Sequence, residues 1–87
     1  MRIWFKLMKE NRLLRDTTIT VTDSSMTRTK KIFYALEQAC YTLDLSQPIW
    51  LDHNIMEFKR RGKTRFRHDN FIESIEFDFL EMHIIEE

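Results

Sequence analysis

The chain has 87 residues and no net formal charge, with one cysteine, one glycine and one proline. This length predicts a single domain over 1–87 with one hydrophobic core. The composition excludes the collagen-like, disulfide-rich and Pro/Gly-rich disordered classes of protein. Seven Phe, two Trp and two Tyr supply large apolar side chains for so small a core.

The charged residues are sorted along the chain, although their sum is zero. Six of the fourteen basic residues lie in 59–67, and seven of the fourteen acidic residues lie in 69–87. Zero net charge argues against a protein dedicated to nucleic-acid binding, but it is compatible with a local basic patch.

The first quarter of the chain predicts a β-hairpin. Residues 2–9 alternate, with Ile3, Phe5 and Leu7 on one side, which is typical of a half-buried strand. The segment 10–12 predicts a turn. Residues 13–22 are rich in Thr and β-branched side chains and predict the second strand.

The spacing of apolar residues predicts one long amphipathic helix over 28–45. Pro48 limits its end, because proline disfavours helical geometry at the residue before it. As the only long helix, it is expected to pack against every strand. Cys40 lies on its apolar stripe, which predicts a buried thiol in a reducing compartment. The stripe consists of Ile32, Phe33, Leu36, Ala39, Cys40 and Leu43.

Three shorter elements are predicted after the long helix. Residues 48–51 form an apolar run that predicts a brief strand. Asn54 and the glutamate three positions later resemble a capping box, which predicts a short helix over 55–61. Gly62 is expected to end this helix. Residues 63–72 show no clear period, and we expect an ordered loop there.

The end of the chain predicts a final strand over 74–85. Its first half alternates, so that Ile75, Phe77 and Phe79 are expected to face the core. The apolar phase then shifts, and Leu80 and Met82 are left on the opposite face. Such a shift indicates either a β-bulge or a contact made by the far end of the strand on its other face.

This order of elements resembles the ubiquitin-like β-grasp family. Ubiquitin-like chains often carry a Thr-Leu-x-Asp-Tyr-Asn-Ile loop before the last strand, and residues 64–72 read TRFRHDNFI, a match that requires a two-residue insertion. The chain ends in IIEE rather than diglycine, so conjugation to another protein is not expected. It also lacks the cysteine cluster of β-grasp ferredoxins.

The fold prediction is therefore an α+β domain with a β-grasp-like four-stranded mixed sheet packed on one long helix. The alternative is a two-layer ββαβ sandwich with another strand order. The resemblance implies that the first and last strands lie parallel at the sheet centre. Arg2 and Lys6 are then expected to face Glu76 and Asp78, in cross-strand pairs worth about 0.2–1 kcal/mol each.

The outer face of this sheet, away from the helix, is the first candidate functional surface. Trp4, Met8, Leu80 and Met82 are expected there, although a sheet face in water normally carries polar residues. Large apolar side chains on one exposed face predict a protein-binding or self-association interface. The alternative is that the segment 52–72 folds over them.

The second candidate is the basic segment 59–67. Its cations, interleaved with Phe58 and Phe66, are suited to binding phosphates and stacking a base. The alternatives are an acidic protein partner or a solvated loop that balances nearby acids. The predicted polyanion-binding residues are Lys59, Arg60, Arg61, Lys63, Arg65 and Arg67.

The sequence offers little support for catalysis, metal binding or cofactor binding. His53, His68 and His83 are far apart and form no metal-ligand spacing. A hydrolase using His53 or His68 would require both to converge with their neighbouring aspartates. The N-terminus lacks the apolar run of a signal peptide, which leaves the cytoplasm as the expected location.

The resulting functional prediction is a non-enzymatic module without cofactor or metal. It binds a protein partner, or forms a homodimer, through the outer face of its sheet. The alternative is binding of nucleic acid or another polyanion through 59–67, and no membrane partner is expected.

Overall fold

The computed structural model describes residues 1–87, which form a four-stranded sheet covered on one face by two helices. The elements are β1 (Arg2–Lys9), β2 (Arg12–Thr20), α1 (Arg28–Leu43), α2 (Asp52–Arg61), β3 (Lys63–Phe66), a single 3-10 turn (His68–Asn70) and β4 (Phe79–Glu86). This architecture confirms a small α+β domain. It differs from the expected fold because the sheet packs on both helices rather than on one long helix, and because the sheet is fully antiparallel.

The predicted hairpin is present as β1 and β2. Glu10 and Asn11 both adopt positive φ angles, 51° and 63°, as a two-residue hairpin turn requires. Leu7 pairs with Arg15 whereas Met8 pairs with Leu13, so the register shifts between Leu7 and Met8. Since β2 is an edge strand, most of its residues are exposed.

Helix α1 lies where the long helix was predicted and ends two residues earlier, but the expectation that one long helix alone covers the sheet is wrong, because α2 packs beside it. The Thr27 hydroxyl accepts a hydrogen bond from the Lys30 amide at 3.2 Å and caps its start. Asp44 ends the helix in the left-handed conformation, with φ of 57°. The predicted stripe is buried except for Phe33, which is 51% exposed.

Helix α2 is longer than predicted and begins at Asp52 rather than Ile55. Asn54 is therefore not the cap. It lies inside the first turn, where its side-chain oxygen accepts a hydrogen bond from the Leu51 amide at 3.1 Å. Gly62 ends the helix as predicted, with φ of 67°. The expected strand over 48–51 is wrong, because this segment has no strand pairing.

The strand order β2-β1-β4-β3 is antiparallel throughout, so the expectation of a mixed sheet is wrong. β1 and β4 are adjacent at the sheet centre, as expected, but they run in opposite directions rather than parallel. The reason lies in the segment 63–72, which was expected to be a loop. Its first four residues form β3, which pairs with β4 and sets the direction of the last strand.

The final strand starts at Phe79, five residues later than predicted, and this reverses its expected faces. The Asp78 amide donates to the Met8 carbonyl at 2.8 Å, and the Asp78 carboxylate accepts from the Glu10 amide at 2.8 Å. These bonds fix the entry of β4 beside the hairpin turn. Leu80 and Met82 therefore point into the core, where both are 0% exposed, and their predicted place on the outer face is wrong.

The core lies between the sheet and the two helices. It combines the inner faces of β1, β3 and β4 with the apolar sides of α1 and α2, and it includes Phe71 and Phe77 from the segment before β4. Neither α1 nor α2 has the length and apolar character that a membrane-spanning helix requires.

Candidate functional site

The outer face of the sheet is the face opposite both helices, and its residues follow from the strand register. Lys6 of β1 is paired with Asp16 of β2 on one side and with Glu81 of β4 on the other. Glu81 is in turn paired with Arg65 of β3. Residues alternate between the two faces of a strand, so the outer face comprises Leu13, Asp16, Thr18, Thr20, Arg2, Trp4, Lys6, Met8, Phe79, Glu81, His83, Lys63 and Arg65.

The apolar part of this outer face has other members than the sequence predicts, because Leu13 and Phe79 lie there instead of Leu80 and Met82. Trp4 and Met8 are there, but both are half-buried by their neighbours. The Trp4 indole N–H donates to an Asp16 carboxylate oxygen at 2.9 Å, and the Lys6 ammonium lies 4.4 Å from the Trp4 ring centre. Phe79, which the sequence placed in the core, lies beside Met8 on this face.

Glu81 is the most buried charged residue of the outer face, with a side chain only 6% exposed. Its two carboxylate oxygens contact the Lys6 ammonium at 2.9 Å and the Arg65 Nε at 3.0 Å. Burial acts to raise the pKa of Glu81, but hydrogen bonds and charges from Lys6 and Arg65 outweigh it and lower that pKa. Glu81 therefore stays ionised at neutral pH and holds both cations in place.

The basic segment 59–67 is divided by the structure between two places. Four of its six predicted residues surround one polar cleft of about 280 Å³, between the end of α2 and the edge strand β3. Lys59 and Arg60 do not line it. The lining residues are Glu57, Arg61, Lys63, Thr64, Arg65, Arg67 and Glu81.

The local sequence explains this division. Alternation along β3 directs Lys63 and Arg65 outward, and Phe66 into the core at 0% exposure. Arg67 follows with extended backbone angles, φ −111° and ψ −165°. Phe58 is also buried, so neither phenylalanine of the segment is free to stack a base.

The cleft holds more positive than negative charge. Four cationic and two anionic side chains line it, and Arg65 is paired with Glu81. The other carboxylate, Glu57, accepts a hydrogen bond from the Thr64 hydroxyl at 2.7 Å. No carboxylate lies within ion-pair distance of the remaining three cations, which are Arg61, Lys63 and Arg67.

Phe79 forms an aromatic surface beneath two arginines. The Arg65 guanidinium lies 4.3 Å from its ring centre and the Arg67 guanidinium lies 5.9 Å from it. The alternation of Ile75 and Phe77, extended into β4, predicted Phe79 in the core rather than on this surface. The shift of apolar phase at Leu80 was the available signal.

A buried polar network fixes α2 against β3 and forms one wall of the cleft. Asn54 and Asn70 are both 0% exposed, and the Asn70 amide donates to the Asn54 oxygen at 2.6 Å. The Asn54 amide donates to the Thr64 hydroxyl at 2.9 Å and to the Arg65 carbonyl at 3.0 Å. The Thr64 hydroxyl of β3 also donates to Glu57 of α2, so the network joins the two elements that border the cleft.

A separate apolar groove lies between α1 and α2, with a volume of about 220 Å³. Phe33 and Ile55 line it and are 51% and 40% exposed. Trp50 also lines the groove, and its indole N–H is buried without a hydrogen-bond partner. The Trp50 ring makes edge-to-face contacts with Phe33, Phe58 and Phe66. Of the six predicted basic residues, only Lys59 reaches this groove.

The residues considered for catalysis or metal binding lie on separate elements. His53 is exposed on α2 and His68 is exposed on the 3-10 turn. No group of three or more His, Cys, Asp or Glu is arranged to hold a metal ion. Cys40 is buried as predicted, and burial raises the pKa of its thiol to about 11.

Comparisons with known protein families, with curated proteins and with solved structures find no match to this chain.

Proposed function

We propose that the protein is a non-enzymatic binding module that takes a polyanion in the cleft between α2 and β3. One observation carries this proposal: Arg61, Lys63 and Arg67 surround a single cleft without an ion-pair partner. Cations gathered in this way favour a ligand of repeated negative charge, because each contact releases a condensed counterion.

The neutral net charge does not oppose this proposal, because binding depends on the local field. Of the seven acids in 69–87, only Glu81 lines the cleft, and its charge is already offset by Lys6 and Arg65. Asp78 is bonded to the hairpin turn and Glu87 to Arg28. The acidic segment therefore leaves the cations of the cleft free.

The proposal is tested by measuring affinity for inorganic polyphosphate and for an oligonucleotide at about 50 and about 200 mM salt. The test variant combines Arg61→Gln, Lys63→Gln and Arg67→Gln. We expect it to bind at least about tenfold more weakly, with a salt slope reduced by about 2, since each phosphate contact on a single strand contributes about 0.7.

The matched control removes the same charge elsewhere, through Arg12→Gln, Lys30→Gln and Lys31→Gln. These residues lie on β2 and α1 and none lines the cleft. We expect the control to keep most of the affinity. Equal loss in both variants, or no binding to either polyanion at low salt, would contradict the proposal.

A second candidate function is docking of a protein, or of a second copy of this chain, on the outer face. The observation that favours it is the adjacent pair Met8 and Phe79, with Trp4 farther along β1, all half-buried and uncovered by a helix. Size-exclusion chromatography with light scattering tests self-association. A protein that stays monomeric at high concentration would contradict self-association. A dimer unaffected by Trp4→Glu would contradict a dimer interface on the outer face.

The ubiquitin-like resemblance and the cytoplasmic location predicted from the sequence do not support this proposal. A ubiquitin-like relationship is left out, because β1 and β4 run antiparallel. A cytoplasmic location stays a prediction from sequence, supported by the single buried thiol of Cys40.

A further inference from the structure

We infer that the polyanion is a single-stranded nucleic acid, whose phosphates contact the free cations of the cleft while one base stacks on Arg65. This inference rests on the proposed function and specifies its ligand class. It comes from two features that phosphate binding alone does not need: a row of cations along a sheet edge, and one arginine fixed over an aromatic ring.

The row of cations lies along β3, which is an edge strand. Lys63 and Arg65 share the outer face, and the extended backbone at Arg67 continues the same alternation. Residues two apart in a strand are separated by about 7 Å, so the three side chains form a line rather than a cluster. A line of charges matches the backbone of an extended polymer better than it matches a compact anion.

Arg65 is held in one place by three groups of the protein. Its Nε donates to Glu81 at 3.0 Å, Glu81 is anchored by Lys6 at 2.9 Å, and its guanidinium lies 4.3 Å from the Phe79 ring centre. Even so, 47% of the Arg65 side chain is exposed. The planar guanidinium is therefore pre-organised, so a base that stacks on it costs little further ordering.

Only an unpaired base can use this surface. In a duplex the faces of the bases are stacked on one another, and the cations would contact phosphates alone. A single strand can turn a base out and place it on an aromatic or guanidinium plane, which stabilises binding in a manner tolerant of sequence. An acidic protein segment without an aromatic side chain would engage the charges but would place nothing on the planar guanidinium.

The test measures fluorescence anisotropy of a labelled single strand of about 12 nucleotides, a length typical of such sites. The comparison strands are an abasic strand of the same length and the corresponding duplex. We expect the intact single strand to bind about tenfold more tightly than the abasic one. Equal binding of the intact and abasic strands overturns this inference and leaves the polyanion function standing.

Two variants locate the effect at the stack. Arg65→Lys keeps the charge but loses the planar group, and Phe79→Leu removes the ring beneath it. In both, we expect the ratio of intact to abasic affinity to fall to about one. Circular dichroism and thermal unfolding check that each variant is folded. A preference for the intact strand that survives in both, or a duplex that binds as tightly, contradicts base stacking on Arg65.

Discussion

The two faces of the central sheet differ although the same strands build both. On β1, Ile3, Phe5 and Leu7 point toward the helices and are at most 6% exposed, whereas the residues between them stay partly open to solvent. The inner face is stabilised by apolar burial, which is not directional. The outer face is organised by specific contacts around Glu81. The two faces of one sheet are thus held by different kinds of contact, apolar packing on the inner face and ion pairs on the outer face.

The sharpest test of this difference uses two neighbouring residues of β4. Leu80 is 0% exposed on the inner face, so Leu80→Ala is expected to lower the free energy of unfolding by about 2–5 kcal/mol. Phe79→Leu on the outer face is expected to lower it by about 1 kcal/mol. Urea unfolding measures both. Similar losses would mean that the outer face contributes as much to stability as the core.

The buried asparagine pair is expected to give the next largest effect. Asn54→Ala removes the acceptor of the Leu51 amide and of one Asn70 amide hydrogen, and the donor to the Thr64 hydroxyl and the Arg65 carbonyl. Unsatisfied buried groups are costly, so we expect a loss of about 3 kcal/mol in urea unfolding. Gln47→Ala at an exposed position is the control, with a change within about 0.5 kcal/mol. An Asn54 variant as stable as this control would show that the network is not structural.

Glu81→Gln tests whether one buried carboxylate organises the outer face. Loss of its contacts with Lys6 and Arg65 is expected to cost about 2 kcal/mol at neutral pH. The pKa of Glu81 is lowered, so its contribution is complete above the ordinary value of 4.5 and is lost as pH falls through the lowered pKa.

Unfolding of the wild type and of Glu81→Gln is therefore compared over a series of pH values. The difference in free energy of unfolding should be constant from pH 7 down to about 5 and should shrink below that. A difference that grows as the solution becomes more acidic would contradict the assigned direction of the pKa shift.

Gly62→Ala is expected to give the smallest effect, about 1 kcal/mol, at the junction between α2 and β3. The cause is conformational, since Gly62 has a φ of 67° and an added Cβ would lie an ordinary 3.9 Å from Ile84 Cβ. Thermal unfolding of Gly62→Ala and Gly62→Asn checks this cause. Asparagine tolerates the left-handed region, so it should be less destabilising than alanine. The reverse order would indicate steric crowding instead.

Local patterns predicted the elements whose packing obeys local rules. The alternation around Phe5 and the stripe around Leu36 correctly gave β1, the hairpin and α1. Gly62 correctly marked the end of α2. These patterns succeed because one face of each element is in the core and the other is in contact with solvent.

The direction and phase of the last strands depend on long-range pairing, which no local pattern encodes. The irregular segment before β4 buries Phe71 and Phe77 without strand pairing, and this imitates the alternation of a strand. The prediction therefore began β4 too early and exchanged the faces of Phe79 and Leu80. The cations were identified from composition, but composition does not show that helix α2 directs Lys59 to the apolar groove and Arg61 to the cleft, nor that the turn at Gly62 brings Lys63 beside Arg61.

The most direct measurement of the central claim is an amide and side-chain NMR titration of the labelled protein with an unlabelled single strand. Binding at the cleft predicts the largest chemical-shift changes at Arg61, Lys63, Arg65 and Arg67. Resonances of α1 are expected to change little. Shifts concentrated around Phe33 and Trp50 in the groove between the helices, or no shifts at low salt, would contradict it.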